Sequence, residues 1–247
     1  MTSSVTFGHS GFPSCGCAAC AGGEPAHARL PRRTFLALAA AAGLIGAQGL
    51  APGAARAQTR LSPDEALARL MAGNARYVAG DMTSFKLDLA ALRAKTVDKQ
   101  EPFASVLSCV DSRVPVEIVF DESIGSIFVT RVAGNIADTE IIASLEYGAE
   151  VLKVPVIMVL AHENCGAVKA AISAEAVPGQ ISALYAPLQP AVARGGHDLA
   201  ATAKLNAKIQ ADLLATASTV LAERIAKGEL KIVAGYYTLG NGAVTLV

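Results

Sequence analysis

Val154-Pro155-Val156-Ile157-Met158-Val159-Leu160-Ala161-His162-Glu163-Asn164-Cys165-Gly166 is the stretch whose reading decides the fold. It opens with an almost unbroken apolar run, the pattern of a strand covered on both faces. The run stops at a histidine, turns through Glu163 and Asn164, and resumes from Cys165 to about residue 175 with helical spacing. Two shorter apolar runs precede it, Phe103 to Ser108 and Ile127 to Val132, and a fourth, Leu230 to Tyr236, follows and leads to a short hairpin ending at Val247.

Between the second and third runs, Ile141, Ile142, Leu145, Ala149 and Leu152 form a helical stripe over Thr139 to Leu152. Helices are also expected over about 86 to 98 and about 198 to 226, and Pro178 to Gly196 reads as the one long loop. Upstream, Ser62-Pro63-Asp64-Glu65 starts a helix for stated reasons: Ser62 caps, Pro63 needs no donor at the first helical position, and Glu65 closes a capping box. This alternation predicts an α/β fold, a central mostly parallel β-sheet flanked by helices with an N-terminal helical arm. In such sheets working groups gather beyond the carboxyl ends of the strands.

Composition narrows the function. With 52% hydrophobic and 17% charged residues in a 247-residue chain, disorder throughout is excluded. The 21 basic and 21 acidic side chains cancel, which leaves no bulk field for nucleic acid or an anionic membrane surface. Five cysteines are too few for a disulfide-built scaffold, and three of them lie before residue 21.

That early segment reads separately. Arg32 and Arg33 stand before an uncharged Ala/Gly/Leu-rich run from Phe35 to Leu50, and Ala55-Arg56-Ala57 follows as a small-x-small site. The run is short of the ~20 apolar residues that span a membrane. Together these features resemble a twin-arginine (Tat) export signal, against the plainer reading of a buried or uncleaved anchor helix. The expected organisation is a leader over 1–57 and one domain over 58–247, exported by the Tat machinery to the periplasm or beyond. The domain's formal charge is then −3. Cys15, Cys17 and Cys20, with His9 upstream, offer soft metal ligands, but a segment this rich in Gly, Ala and Ser has little to build a supporting shell with.

Beyond Ala57 there are two cysteines, Cys109 and Cys165, and two histidines, His162 and His197. Cys109, His162 and Cys165 directly follow expected strands, in Cys109-Val110-Asp111-Ser112-Arg113 and His162-Glu163-Asn164-Cys165. If the two strands are neighbours, two thiolates and an imidazole converge on one point. Zinc suits that set, and three protein ligands leave a fourth position open, as catalytic sites require. A disulfide, two buried free thiols, and a structural zinc completed by Asp111 or His197 are the competing readings.

The two motifs, with the flanks Arg113-Val114-Pro115 and Cys165-Gly166-Ala167, resemble the β-class carbonic anhydrases over nearly the whole of 58–247. The resemblance implies Zn²⁺ on Cys109, His162 and Cys165, and an Asp111–Arg113 dyad at the metal's water. It implies reversible hydration of CO₂ to bicarbonate and a proton by a zinc lyase. It also implies a second, inactive state in which Asp111 becomes the fourth ligand. Substrate-pocket positions carry over to Gln100, Phe128, Ala133, Tyr147 and the backbone N–H of Gly166, with Gln100 expected from a partner subunit of a homodimer or homotetramer. Ala133 stands where many relatives have the larger valine. His197 is a candidate proton relay or a solvated loop residue. A same-fold CS₂ or COS hydrolase, a thiol-disulfide protein and a non-catalytic zinc-binding module are the alternatives.

Overall fold

The computed structural model describes residues 59–247. The paired arginines, the apolar run after them, the expected cleavage site and the three leader cysteines lie outside the described residues. Helix α1 spans Pro63–Ala79, and α2 spans Leu89–Thr96 after a 3₁₀ turn at Ser84–Lys86. Strand β1, Ala104–Ser108, is followed by the single turn α3, Val116–Val119, and by β2, Ile127–Arg131. Helix α4, Thr139–Glu150, leads to β3, Val156–His162, and α5, Gly166–Ser173. Helices α6, Tyr185–Gly195, α7, Leu199–Ala217, and α8, Thr219–Ala226, precede the hairpin of β4, Lys231–Tyr237, and β5, Val244–Leu246.

The sheet order is β2-β1-β3-β4-β5, with every pair parallel except β4 with β5. This is the expected α/β architecture. From β1 the chain moves outward to β2, then crosses back to place β3 on the other side of β1. The switch in direction opens a crevice beyond the carboxyl ends of β1 and β3.

Strand periodicity sorts the core into two layers. Val106, Val156, Met158 and Leu160 face one side with Ala66 and Leu70 of α1, while Leu107, Ile157, Val159 and Ala161 face the other with Leu145, Ala207 and Leu214. All residues of β1 and β3 are buried, which is why both read as continuous apolar runs. Each fully buried large side chain contributes roughly 1.5–3 kcal/mol relative to exposure.

The predicted start of α1 is present in full. Glu65 N–H donates to Ser62 Oγ at 3.3 Å, Ser62 N–H donates to Glu65 Oε2 at 2.8 Å, and Pro63 opens the helix. Gly73 lets α1 press on the chain after α3: a Cβ there would stand 1.9 Å from the Phe120 carbonyl oxygen.

Three expectations change. Pro178 to Gly196 is not a bare loop but holds a 3₁₀ turn at Ile181–Leu184 and helix α6. Pro187 falls in the first turn, where no donor is needed, and burial of Leu188 and Ala191 holds the helix across Pro190. The expected helix over 198 to 226 is two, because Ser218 is extended and caps α8, accepting from Leu221 N–H at 3.1 Å. The helix expected over 86 to 98 is the shorter α2, none of whose residues is buried.

Candidate metal centre

Cys109 is the residue after β1, His162 ends β3, and Cys165 caps α5. Because β1 pairs with β3 in parallel, with Ser108 opposite Leu160, both strand ends reach the same edge. One ligand atom from each of Cys109, His162 and Cys165 lies within 4.8 Å of the other two, and all three residues are buried. Both cysteines are free thiols, so the disulfide reading does not hold. The cluster does not include His197 or Asp111.

The imidazole's orientation follows from one contact. His162 Nδ1 lies 2.8 Å from the Glu163 carbonyl oxygen, which can only accept, so Nδ1 carries the proton. Nε2 is left as a bare acceptor, buried and without a hydrogen-bond partner. Such an orphan is costly unless something fills it. Two thiols and an unprotonated imidazole nitrogen are the donor set zinc prefers, and tetrahedral zinc would need about 3.5–3.8 Å between these atoms. The residues therefore fit the metal that the sequence implies.

Charge at the site is arranged by hydrogen bonds. The Cys109 thiol is held well below its ordinary value, chiefly by a hydrogen bond from Cys165; burial opposes this, and the Gly134 N–H, 3.4 Å from the sulfur, adds to it. Cys165, the donor of that shared proton, is pushed up. Gly134 can present its N–H there because it adopts a φ of 74°, in the left-handed region.

Asp111 and Arg113 form the expected dyad. Arg113 Nε and Nη2 donate to Asp111 Oδ1 and Oδ2 at 2.9 and 2.8 Å. The guanidinium holds the Asp111 carboxyl well below the usual carboxylate range, against the effect of burial. Asp111 Oδ2 lies 3.9 Å from His162 Nε2, so the carboxylate overlooks the cluster while both its oxygens stay on Arg113.

The expected pocket residues divide into two groups. Ala133 precedes Gly134, the residue on the Cys109 sulfur, and Gly166 follows Cys165, so these two adjoin the cluster in sequence. Phe128 pairs with Ser105, four residues before Cys109, which is about 13 Å along the strand. Tyr147 packs near Phe128, with ring centroids 6.2 Å apart, and shares a groove of about 480 Å³ with Gln100. Within one chain, Gln100, Phe128 and Tyr147 thus form a separate surface. His197 shares a cavity of about 750 Å³ with Arg113, Asn164 and Lys169.

Several supporting residues were not found from sequence. Arg131, at the end of β2, donates from Nε to the Cys109 carbonyl at 2.9 Å and from Nη2 to the Asp111 carbonyl at 2.6 Å. Asn206 Nδ2 donates to the Gly134 carbonyl at 2.8 Å, and Gln210 Oε1 accepts from Ala137 N–H at 2.9 Å. Two buried amides four residues apart on one face of α7 were the available signal.

The carbonic anhydrase family matches residues 104–244, more than half of the chain. The carbonic anhydrase of Mycolicibacterium smegmatis is 37% identical over 193 residues, covering 75% of this chain and 93% of that protein. Carbonic anhydrase 2 of Mycobacterium tuberculosis is 36% identical over 195 residues, with the same coverage of 75% and 93%. Among solved structures, the Coccomyxa β-carbonic anhydrase complexed with acetazolamide superposes with a TM-score of 0.58 at 26% identity, over 73% of this chain and 86% of that one. One of two tetrameric β-carbonic anhydrases of Sordaria macrospora gives 0.60 at 23% identity, over 64% and 87%. The fold, the Cys-His-Cys cluster and these relatives agree: the chain belongs to the β-class of the carbonic anhydrase family.

Proposed function

We propose that this protein catalyses the reversible hydration of CO₂ to bicarbonate and a proton, with Zn²⁺ held by Cys109, His162 and Cys165. The observation that carries this reading is the convergence of three buried ligand atoms beside a carboxylate kept ionised by Arg113. When bound there, zinc supplies Lewis acidity that makes a water nucleophilic near neutral pH.

The chain's own residues do the rest. Asp111, ionised and therefore an acceptor only, takes a hydrogen bond from the attacking water and aims it. Arg113 occupies both carboxylate oxygens and so keeps Asp111 off the metal; release of that fork is what an inactive state with Asp111 as fourth ligand would require. The Gly166 N–H lies in the first turn of α5, a turn free of intrahelical acceptors and suited to a developing bicarbonate oxygen. Ala133 leaves room for a small apolar substrate.

Gln100, Phe128 and Tyr147 complete the pocket only from a second copy, and the working unit is a homodimer or a homotetramer built from two such pairs. What supports this is the half-exposed Tyr147 beside Gln100 in its groove, and α2, which has no fully buried residue among the described residues. Residues 1–57 are an export leader and 58–247 the enzyme domain, a reading supported by Arg32-Arg33, the apolar run and Ala55-Arg56-Ala57. Cell fractionation after replacing both arginines with lysine tests it; an unchanged periplasmic yield rejects it.

The catalytic test pairs metal stoichiometry with stopped-flow CO₂ hydration, assaying sulfide release from CS₂ and COS in parallel. One zinc per chain and hydration abolished by chelation are expected. Sulfide release without CO₂ hydration would reassign the substrate, and bound zinc with neither activity would leave a binding module.

A further inference from the structure

The geometry points to Glu163 as a positioning residue that fastens the His162 imidazole to the C-terminal hairpin; this rests on the reading of His162 as a metal ligand. Glu163 is fixed through three separate groups. Its N–H donates to the Tyr237 carbonyl at 2.8 Å, continuing the β3–β4 ladder one step past His162. Its own carbonyl accepts the His162 Nδ1 proton at 2.8 Å. Its carboxylate Oε2 accepts from Leu239 N–H at 2.9 Å and Gly240 N–H at 3.3 Å, across 76 and 77 residues of chain.

That last contact assigns the side chain its role. Oε2 is engaged by hairpin amides, so the carboxylate anchors the turn after β3, whose next residue, Asn164, has a φ of 52°. The Tyr237 bond holds the His162–Glu163 peptide but not the Glu163–Asn164 peptide that carries the carbonyl. Without the carboxylate anchor that second plane can rotate, which carries the carbonyl away from Nδ1 and swings Nε2 off the two sulfurs. The hairpin is itself a firm anchor. Buried Asn74 of α1 donates to the Gly242 carbonyl at 2.9 Å and accepts from Val244 N–H at 2.8 Å. His162 is thereby tied, through Glu163 and the hairpin, to the first helix of the domain. Carboxylate and carbonyl partners of metal-bound histidines commonly carry 10–100-fold in metal affinity.

The test uses the zinc-loaded protein, with Glu163→Ala, Glu163→Gln and Asn241→Ala. Asn241→Ala removes a turn contact, Asn241 Oδ1 to Ala243 N–H at 3.0 Å, without touching Glu163. Zinc release to a competing chelator, the visible spectrum of the cobalt-substituted protein, and amide exchange at Leu239 are measured beside kcat and KM. Glu163→Ala is expected to release zinc at least about tenfold faster, shift the cobalt bands and lose amide protection, with kcat falling more than KM changes. Glu163→Gln keeps a carbonyl acceptor and should recover most of each, while Asn241→Ala should release zinc within about twofold of wild type. If Glu163→Ala does not fold, Glu163→Asp, one methylene short of the hairpin, should show about threefold faster release. Wild-type release from Glu163→Ala, or from Glu163→Asp in its place, overturns the inference, as does Asn241→Ala matching Glu163→Ala. A wild-type chain that holds no zinc overturns the metal reading itself, which is a distinct result.

Discussion

Asp111 and Arg113, two residues apart, face each other as a bidentate pair, and the Arg113 backbone N–H adds a third bond to Asp111 Oδ1 at 3.0 Å. The carboxylate that overlooks the Cys-His-Cys cluster is thus aimed by local chain geometry, while Arg113 is steadied from a distance by the Asn164 carbonyl at 3.3 Å.

Arg113→Lys should therefore release Asp111. Lysine keeps the charge but not the planar fork, and a loss of at least about tenfold in kcat/KM, about 1.4 kcal/mol, is expected with zinc content unchanged. Asp111→Asn should cost more, about 10²-fold, because the charged acceptor is lost while the shape is kept. Steady-state kinetics with metal analysis checks both. Loss of zinc in either variant would instead make the dyad part of the metal-binding framework.

Cys165→Ser should lose metal and stability together. A ligand in excess of its dissociation constant by about a thousandfold stabilises by about 4 kcal/mol, so a melting-temperature drop of roughly 8–16 °C is expected for a domain of this size. Differential scanning calorimetry and metal analysis decide it, and an unchanged zinc content would strike Cys165 from the ligand set.

Arg131→Ala removes the clamp on the Cys109 and Asp111 carbonyls. Two hydrogen bonds from a charged donor are lost, each weakened because Arg131 is exposed to water, so chemical denaturation should show about 2 kcal/mol of destabilisation, with reduced activity although no ligand is altered. Arg131→Lys, able to reach one carbonyl, should fall between. Equal stability of the alanine variant and wild type would show that the strand end is held by the sheet alone.

Asp121 sets an acid limit. It is buried with a φ of 46°; burial opposes its ionisation, but Ser84 N–H, Arg76 and Thr83 hold its carboxyl well below the usual range. Its contribution to stability is complete above the unfolded value of about 3.9 and is lost as pH falls through the lowered folded value. Asparagine tolerates this backbone conformation, so Asp121→Asn isolates the charge. It should cost about 2 kcal/mol near neutral pH and flatten the loss of stability below about pH 4, as read from denaturant midpoints across pH.

Much of this was legible along the chain because it is local. Apolar runs, the Ser62–Glu65 box and the Cys-x-Asp-x-Arg and His-x-x-Cys segments each depend on residues within a few positions of one another. Helix α6 was not legible, because Pro187 and Pro190 argue against a helix that only the burial of Leu188 and Ala191 sustains. Arg131 and Glu163 gave no signal either, since an isolated charged residue beside a strand looks the same whether it is solvated or holds a loop many residues away.

By itself, then, the sequence determined the alternation of strands and helices, the family resemblance, and which side chains are candidates to hold a metal, because spacing and residue type are local properties. Tertiary structure alone decided that β1 and β3 are neighbours and that their ends meet at one edge. It also decided that Gln100, Phe128 and Tyr147 gather away from their own chain's cluster. The physical reason is that strand order is chosen by burial of both sheet faces and by pairing between distant segments, and no local pattern specifies which distant segment that will be.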